Sequence, residues 1–186
     1  MYWLLGVAAV GGVLAWLSSE ENNARNDYYA KSDRLAKETQ SRQQELKTLR
    51  ANRALAKDYY QHIELHHASV QTANACHKLY EDHKKLFKMI ANREKLLGEQ
   101  IGKLKQQRDL ATGTEKQAIR EQLTQTRDFL AQAKSQRQAL FNEKSRLLEQ
   151  LRTINQQTRD LKTYIGQHCG QKGRDWYARI EQRKTM

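Results

Sequence analysis

Fourteen positions between Ile119 and Ile165 step by four and three residues without a slip. They are Ile119, Leu123, Thr126, Leu130, Ala133, Arg137, Leu140, Lys144, Leu147, Leu151, Ile154, Thr158, Leu161 and Ile165, and nine of them carry Leu or Ile. A 3.5-residue apolar repeat held over nearly seven heptads puts one narrow seam on a helix. Such a seam is buried against the seam of another helix. The spacing therefore predicts left-handed coiled-coil packing over residues 115–166. Thr126, Arg137, Lys144 and Thr158 place polar groups on that seam, where they cost stability and help fix register or partner.

The rest of the chain offers little besides helix. Proline is absent from the 186 residues, where average usage would give roughly nine. The nine glycines leave the whole stretch between Val13 and Leu97 empty. A chain of many tight turns needs those residues, so a β-sandwich or β-barrel is excluded. The hydrophobic fraction is 38%, below the roughly 45–50% usual for globular domains. Much of it falls in the first 17 residues. The remainder suits thin helical packing, not a broad core. The expected fold class is all-α, with an N-terminal transmembrane helix, long coiled-coil helices and a short C-terminal helix.

Residues 1–19 carry no charged side chain. The apolar run Tyr2–Leu17 would extend about 24 Å as a helix, against a hydrocarbon thickness of about 30 Å. Adding Met1, Ser18 and Ser19 brings it to about 28 Å. Trp3 and Trp16 stand at opposite ends, where aromatic rings favour a membrane interface. This reads as a single-pass anchor. Gly6, Ala8, Gly11, Gly12 and Ala15 give it a small face, with Ala8/Gly12 and Gly11/Ala15 four apart, the spacing that lets membrane helices approach closely. No Lys or Arg precedes the run, whereas Arg25, Lys31, Arg34 and Lys37 follow it. The positive-inside rule then favours a cell (inner) membrane protein with a cytoplasmic body over a periplasmic one.

From Glu20 to Ala111 the composition favours one long helix. Tyr28, Leu35, Leu49, Ala56, Ile63 and Val70 keep a seven-residue spacing, with Arg42 interrupting. Ile90, Leu97 and Leu104 continue it in another register, which places a stutter or bend at residues 68–75. Residues 112–114 read as a turn, with Gly113 closing one helix and Thr114 capping the next. Two arrangements are open: an antiparallel hairpin turning at Gly113, or an extended rod whose partner is another chain. The hairpin sets Cys76 level with about Leu148, far from Cys169, so these two cysteines would not bridge.

Gly166, Gly170 and Gly173 are expected to end the long helix and open a basic, aromatic tail over 167–186. Trp176 and Ile180 share a helical face beside Tyr177, with Arg174 and Arg179 around them. Aromatics and Arg are enriched in binding hot spots, so this cluster is the expected partner-docking element. The competing reading is a short helix folded back on its own coiled coil.

Five of the six histidines lie between His62 and His83, with Cys76 among them. His62 and His66 have the i, i+4 spacing of a metal pair. Ile63 stands where a metalloprotease motif needs Glu, so His62, His66 and Cys76 are weak metal candidates and no metal or other cofactor is expected. No phosphate loop or nucleophile elbow is present, and the chain reads as non-enzymatic.

Lys and Arg number 33 against 21 Asp and Glu, a net +12. That surplus suits an acidic partner. The leading expectation is a membrane-anchored coiled-coil scaffold or tether within a larger assembly. It would engage a protein partner or its own copies through the seam and tail, with anionic lipid as a further ligand. An apolar anchor, a coiled coil and a basic tail in this order resemble the inner-membrane spanins of phage lysis. The resemblance is one of layout and implies a periplasmic body that spans the envelope. A membrane-tethered nucleic-acid binder ranks below both, since no recognition motif accompanies the charge.

Overall fold

A computed structural model describes residues 3–52 and 54–185, with side chains described for 19–52 and 54–183. The helix-rich composition yields four helices: α1 (Trp3–Ala51), α2 (Tyr59–Leu110), α3 (Gly113–His168) and α4 (Gly170–Thr185). No strand occurs among the described residues. The all-α class is thus found, with seams that meet within one chain.

The chain divides into two compact units, each drawing on several helices. Unit 1 comprises Met1–Tyr28 and Glu81–Ser145; unit 2 comprises Tyr29–Tyr80 and Arg146–Met186. In unit 1 the chain packs antiparallel on either side of the α2–α3 turn. His83 Nε2 lies 2.9 Å from the Leu140 carbonyl, and Arg137 Nε lies 3.1 Å from Glu94 Oε2. The core positions are Tyr28 from α1, Leu86, Ile90, Leu97 and Leu104 from α2, and Leu123, Ala133 and Leu140 from α3. Gly113 makes the turn with φ +58°, a left-handed conformation that costs glycine little. The hairpin reading is therefore the one adopted, with α2 and α3 of the same chain as partners.

Unit 2 repeats the antiparallel scheme and adds α4. Leu35 and Leu49 of α1 are buried, as are Leu65 and Leu79 of α2 and Leu147, Ile154, Leu161 and Ile165 of α3. Arg42, which interrupts the apolar spacing of α1, donates from Nη1 to the Ala68 carbonyl.

Several expectations are corrected. The helix expected over 20–111 is two helices, because α1 ends at Ala51 and α2 begins at Tyr59, with a turn over 54–57 between them. Ala56 falls in that turn, and Val70 is 38% exposed beyond it. No stutter occurs at 68–75. The α2 seam runs Leu65, Thr72, Cys76, Leu79, His83, Leu86, Ile90, Arg93, Leu97 and Leu104, all buried and in phase with one 3.5-residue repeat. Thr72 takes a seam position because its hydroxyl donates to its own helix at Ala68 O, 2.9 Å away. Thr126 and Thr158 do the same on α3, toward Gln122 O and Ile154 O. A hydroxyl satisfied on its own helix can be buried without the cost of an unmade bond.

The membrane expectation is also corrected. Among the described residues no helix is long and apolar enough to cross a membrane. α1 continues without a break into the charged residues that begin at Glu20 and Glu21. Glu21 is 2% exposed and belongs to a helical core. The inner-membrane location and the orientation drawn from the flanking Lys and Arg rested on that anchor and fall with it. Gly6, Ala8, Gly11, Gly12 and Ala15, expected to pack membrane helices, lie outside the residues whose side chains are described.

Candidate functional site

Unusual side chains gather at one end of unit 2, where α2 begins and α3 meets α4. Local signals set that end. Asn52 Oδ1 accepts from Ala54 N at 3.0 Å, which bends the chain out of α1. Asp58 Oδ1 accepts from Gln61 N at 2.9 Å, capping the first turn of α2. At the other junction Gly170 has φ +67° and lets the chain reverse after a single residue. Two further glycines allow α4 to lie directly on α3. A Cβ on Gly173 would stand 2.2 Å from the Ile165 carbonyl oxygen, and one on Gly166 would stand 2.8 Å from the Tyr177 ring. The three glycines expected to end the helix thus do something more specific: α3 runs through Gly166, and α4 begins at Gly170.

Histidines and aromatics fill the space so made. His62 is fully buried and stacks on Tyr164 at 5.1 Å between centroids. Its Nδ1–H donates to the Asp58 carbonyl at 2.6 Å. Tyr164 donates its hydroxyl to Ala56 O at 2.9 Å, and the Arg50 guanidinium lies 4.3 Å above the same ring. His66 is 8% exposed and meets Trp176 edge-on at 5.0 Å. Trp176 is itself 9% exposed and packs with Leu49, Leu65, Leu161, Ile165 and Cys169, while Tyr177 and Ile180 flank that cluster. Lys162 of α3 pairs with Glu181 of α4.

Burial pushes the His66 pKa down from 6.5 to about 4, aided by the charges of His67 and Lys162. The folded state holds this ring neutral, whereas the unfolded chain protonates it near 6.5. Stability from this group is therefore complete above pH 6.5 and is lost as the pH falls toward 4. At 1.36 kcal/mol per pKa unit, the loss is about 3 kcal/mol. Denaturant unfolding at stepped pH is expected to show that slope. A His66→Gln chain, whatever its own stability, is expected to lose that share of it.

The sequence candidates are placed as follows. His62 and His66 point into this packed core, and Cys76 lies on the α2 seam, buried. Among the described residues no group of three His, Cys, Asp or Glu is placed to hold a metal ion. Cys76 and Cys169 are both free thiols. Burial raises both thiol pKa values, with Asp58 adding to the rise at Cys169, the opposite of what a nucleophilic cysteine requires. Of the tail residues, Trp176, Tyr177 and Ile180 pack on the chain's own core, whereas Arg174 and Arg179 are exposed. The tail is a fold-back helix with a basic outer surface. On α3, Leu123, Leu140, Leu147, Ile154, Leu161 and Ile165 are buried, while Ile119, Leu130 and Leu151 are half-buried.

Unit 1 holds a polar cluster that sequence reasoning missed. Arg93 Nη1 donates to Glu21 Oε1 at 2.8 Å, with the two side chains 7% and 2% exposed. Gln136 completes it with its amide nitrogen turned toward Glu21. Nε2 then donates to Glu21 Oε1 at 3.1 Å, and Oε1 accepts from Arg25 Nη1 at 2.6 Å. The available signal was an Arg on an otherwise apolar α2 seam. The linker had one too: Asp58 followed by Gln61 is the spacing of an N-terminal capping box.

No family model, curated protein or solved structure matches the chain.

Proposed function

We propose that this chain is a non-enzymatic scaffold, a pair of helical units that presents fixed surfaces to a protein partner within a larger assembly. The observation that carries this reading is the placement of large apolar side chains outside the seams of unit 1. Leu96 is 43% exposed, Leu110 87%, Phe129 53% and Phe141 60%. The seams already have partners inside the chain, so these side chains do not serve intramolecular packing. Phe129 and Phe141 are twelve residues apart, which turns them through about 120° on α3. They flank its seam on either side. Isolated exposed apolar residues are common, but several on one helical unit suit a protein contact.

The test is a photo-crosslinking amino acid at position 129 or 141 of the full chain, in the cells that express it. Exposed Gln138 on the same helix serves as the control position. A discrete protein adduct from 129 or 141, absent from 138, is the expected result. Adducts from all three positions alike, or from none, would remove the support for a scaffold surface here.

A further inference from the structure

The positive charge is unevenly shared. Unit 2 contains 18 Lys and Arg against 9 Asp and Glu, whereas unit 1 contains 15 against 12. Three-quarters of the net +12 therefore belongs to unit 2. Part of that surplus is aligned. Lys172, Arg179 and Arg183 follow one another at i, i+7 and i+11 on α4, within about 40° of one line down the helix. All three are exposed, and none makes an ion pair with a carboxylate among the described residues. Lys172 instead donates from Nζ to the Tyr60 hydroxyl at 2.8 Å, and its ammonium lies 4.8 Å from the centre of the same ring. Tyr60 is 62% exposed. An aromatic ring is thus held at the head of a row of cations.

The apolar side of α4 narrows the partner. Trp176, Tyr177 and Ile180 are engaged with the core, so the exposed side chains of α4 are charged or amide apart from Ala178, with Asp175 the one exposed carboxylate among its described residues. A protein hot spot draws on aromatic side chains as well as Arg, and the aromatics of α4 already pack on the chain's own core. An amphipathic helix at a lipid surface needs its apolar face free. A phosphate backbone needs neither, and stacking on an exposed ring suits unpaired bases.

We infer that the α4 flank bearing Lys172, Arg179 and Arg183, together with Tyr60, is a binding surface for single-stranded nucleic acid. The cations track successive phosphates, and Tyr60 supplies a platform for one base. Affinity is electrostatic in origin and indifferent to sequence.

The test uses the full chain and a fluorescent oligothymidylate of about 20 nucleotides, followed by polarisation over a salt series starting near 50 mM. Binding that weakens steeply with salt is expected. The Lys172→Gln/Arg179→Gln/Arg183→Gln triple variant should lose at least about tenfold in affinity. Its log–log salt slope should be shallower by about 2, at roughly 0.7 per lost phosphate contact. Tyr60→Ala should weaken binding with the slope little changed. Circular dichroism of each variant confirms that the helices persist. No binding at the lowest salt, or a triple variant with unchanged affinity and slope, would overturn the inference. So would tighter binding of a duplex, or retention only by vesicles containing phosphatidylglycerol. The crosslinking test above concerns unit 1 and is independent of this outcome.

Discussion

Replacing Arg93 by methionine is expected to destabilise unit 1 by about 3–5 kcal/mol, because it strands the Glu21 carboxylate in a helical core. Glu21 is 2% exposed, and the 2.8 Å bond from Arg93 is its charged contact. The loss is not the value of the ion pair itself. Removing both charges together, as Glu21→Met/Arg93→Met, is expected to return most of the stability or exceed it. A well-packed apolar pair often matches a buried ion pair. Urea unfolding of the wild type, both single variants and the double variant closes the cycle. If Arg93→Met alone unfolded at the wild-type midpoint, the pair would not be the buried element described. What the ion pair contributes is register: α1 can slide past α2 only by separating these charges.

Gly173→Ala is expected to be the second large effect, about 2 kcal/mol or more, although alanine is the better helix former by about 1 kcal/mol. The added methyl would stand 2.2 Å from the backbone oxygen of Ile165, and backbone cannot step aside as a side chain can. Either α4 lifts from α3 or the last turn of α3 distorts. Gly98→Ala is the control. That glycine also lies within a helix, but a Cβ there meets nothing within 4 Å, so a gain of up to about 1 kcal/mol is expected. Thermal melts of the two variants should move in opposite directions. A Gly173→Ala midpoint at or above wild type would show that α4 does not lie against α3.

The fold was legible wherever the helical period alone decides. The α3 seam follows directly from its 3.5-residue repeat, and the glycine at 113 marks the turn that reverses it. The α2 seam was harder, since Thr72, Cys76, His83 and Arg93 occupy positions where a search for Leu and Ile sees gaps. Their burial depends on partners that periodicity cannot show: a carbonyl on the same helix for Thr72, the Leu140 carbonyl for His83 and the Glu21 carboxylate for Arg93. The break at 52–58 contains no glycine or proline, so the usual punctuation was missing and only the capping pattern at Asp58 and Gln61 announced it. In the tail, hydrophobicity identified Trp176, Tyr177 and Ile180 as a sticky face. Whether such a face meets another molecule or the chain's own core is settled by glycines 166, 170 and 173, whose combined effect emerges only when α4 is laid against α3. The apolar N-terminal run suggested a bilayer by composition, whereas among the described residues no helix is long and apolar enough to cross one.

The edge-on meeting of His66 and Trp176 gives the protein a built-in optical gauge. An imidazolium next to an indole quenches its emission, whereas a neutral imidazole does so weakly. With Trp3 and Trp16 changed to phenylalanine, the remaining fluorescence would come from this one junction. Its brightness would then report, in real time and without a label, whether the last helix is seated and whether the ring beside it has taken up a proton.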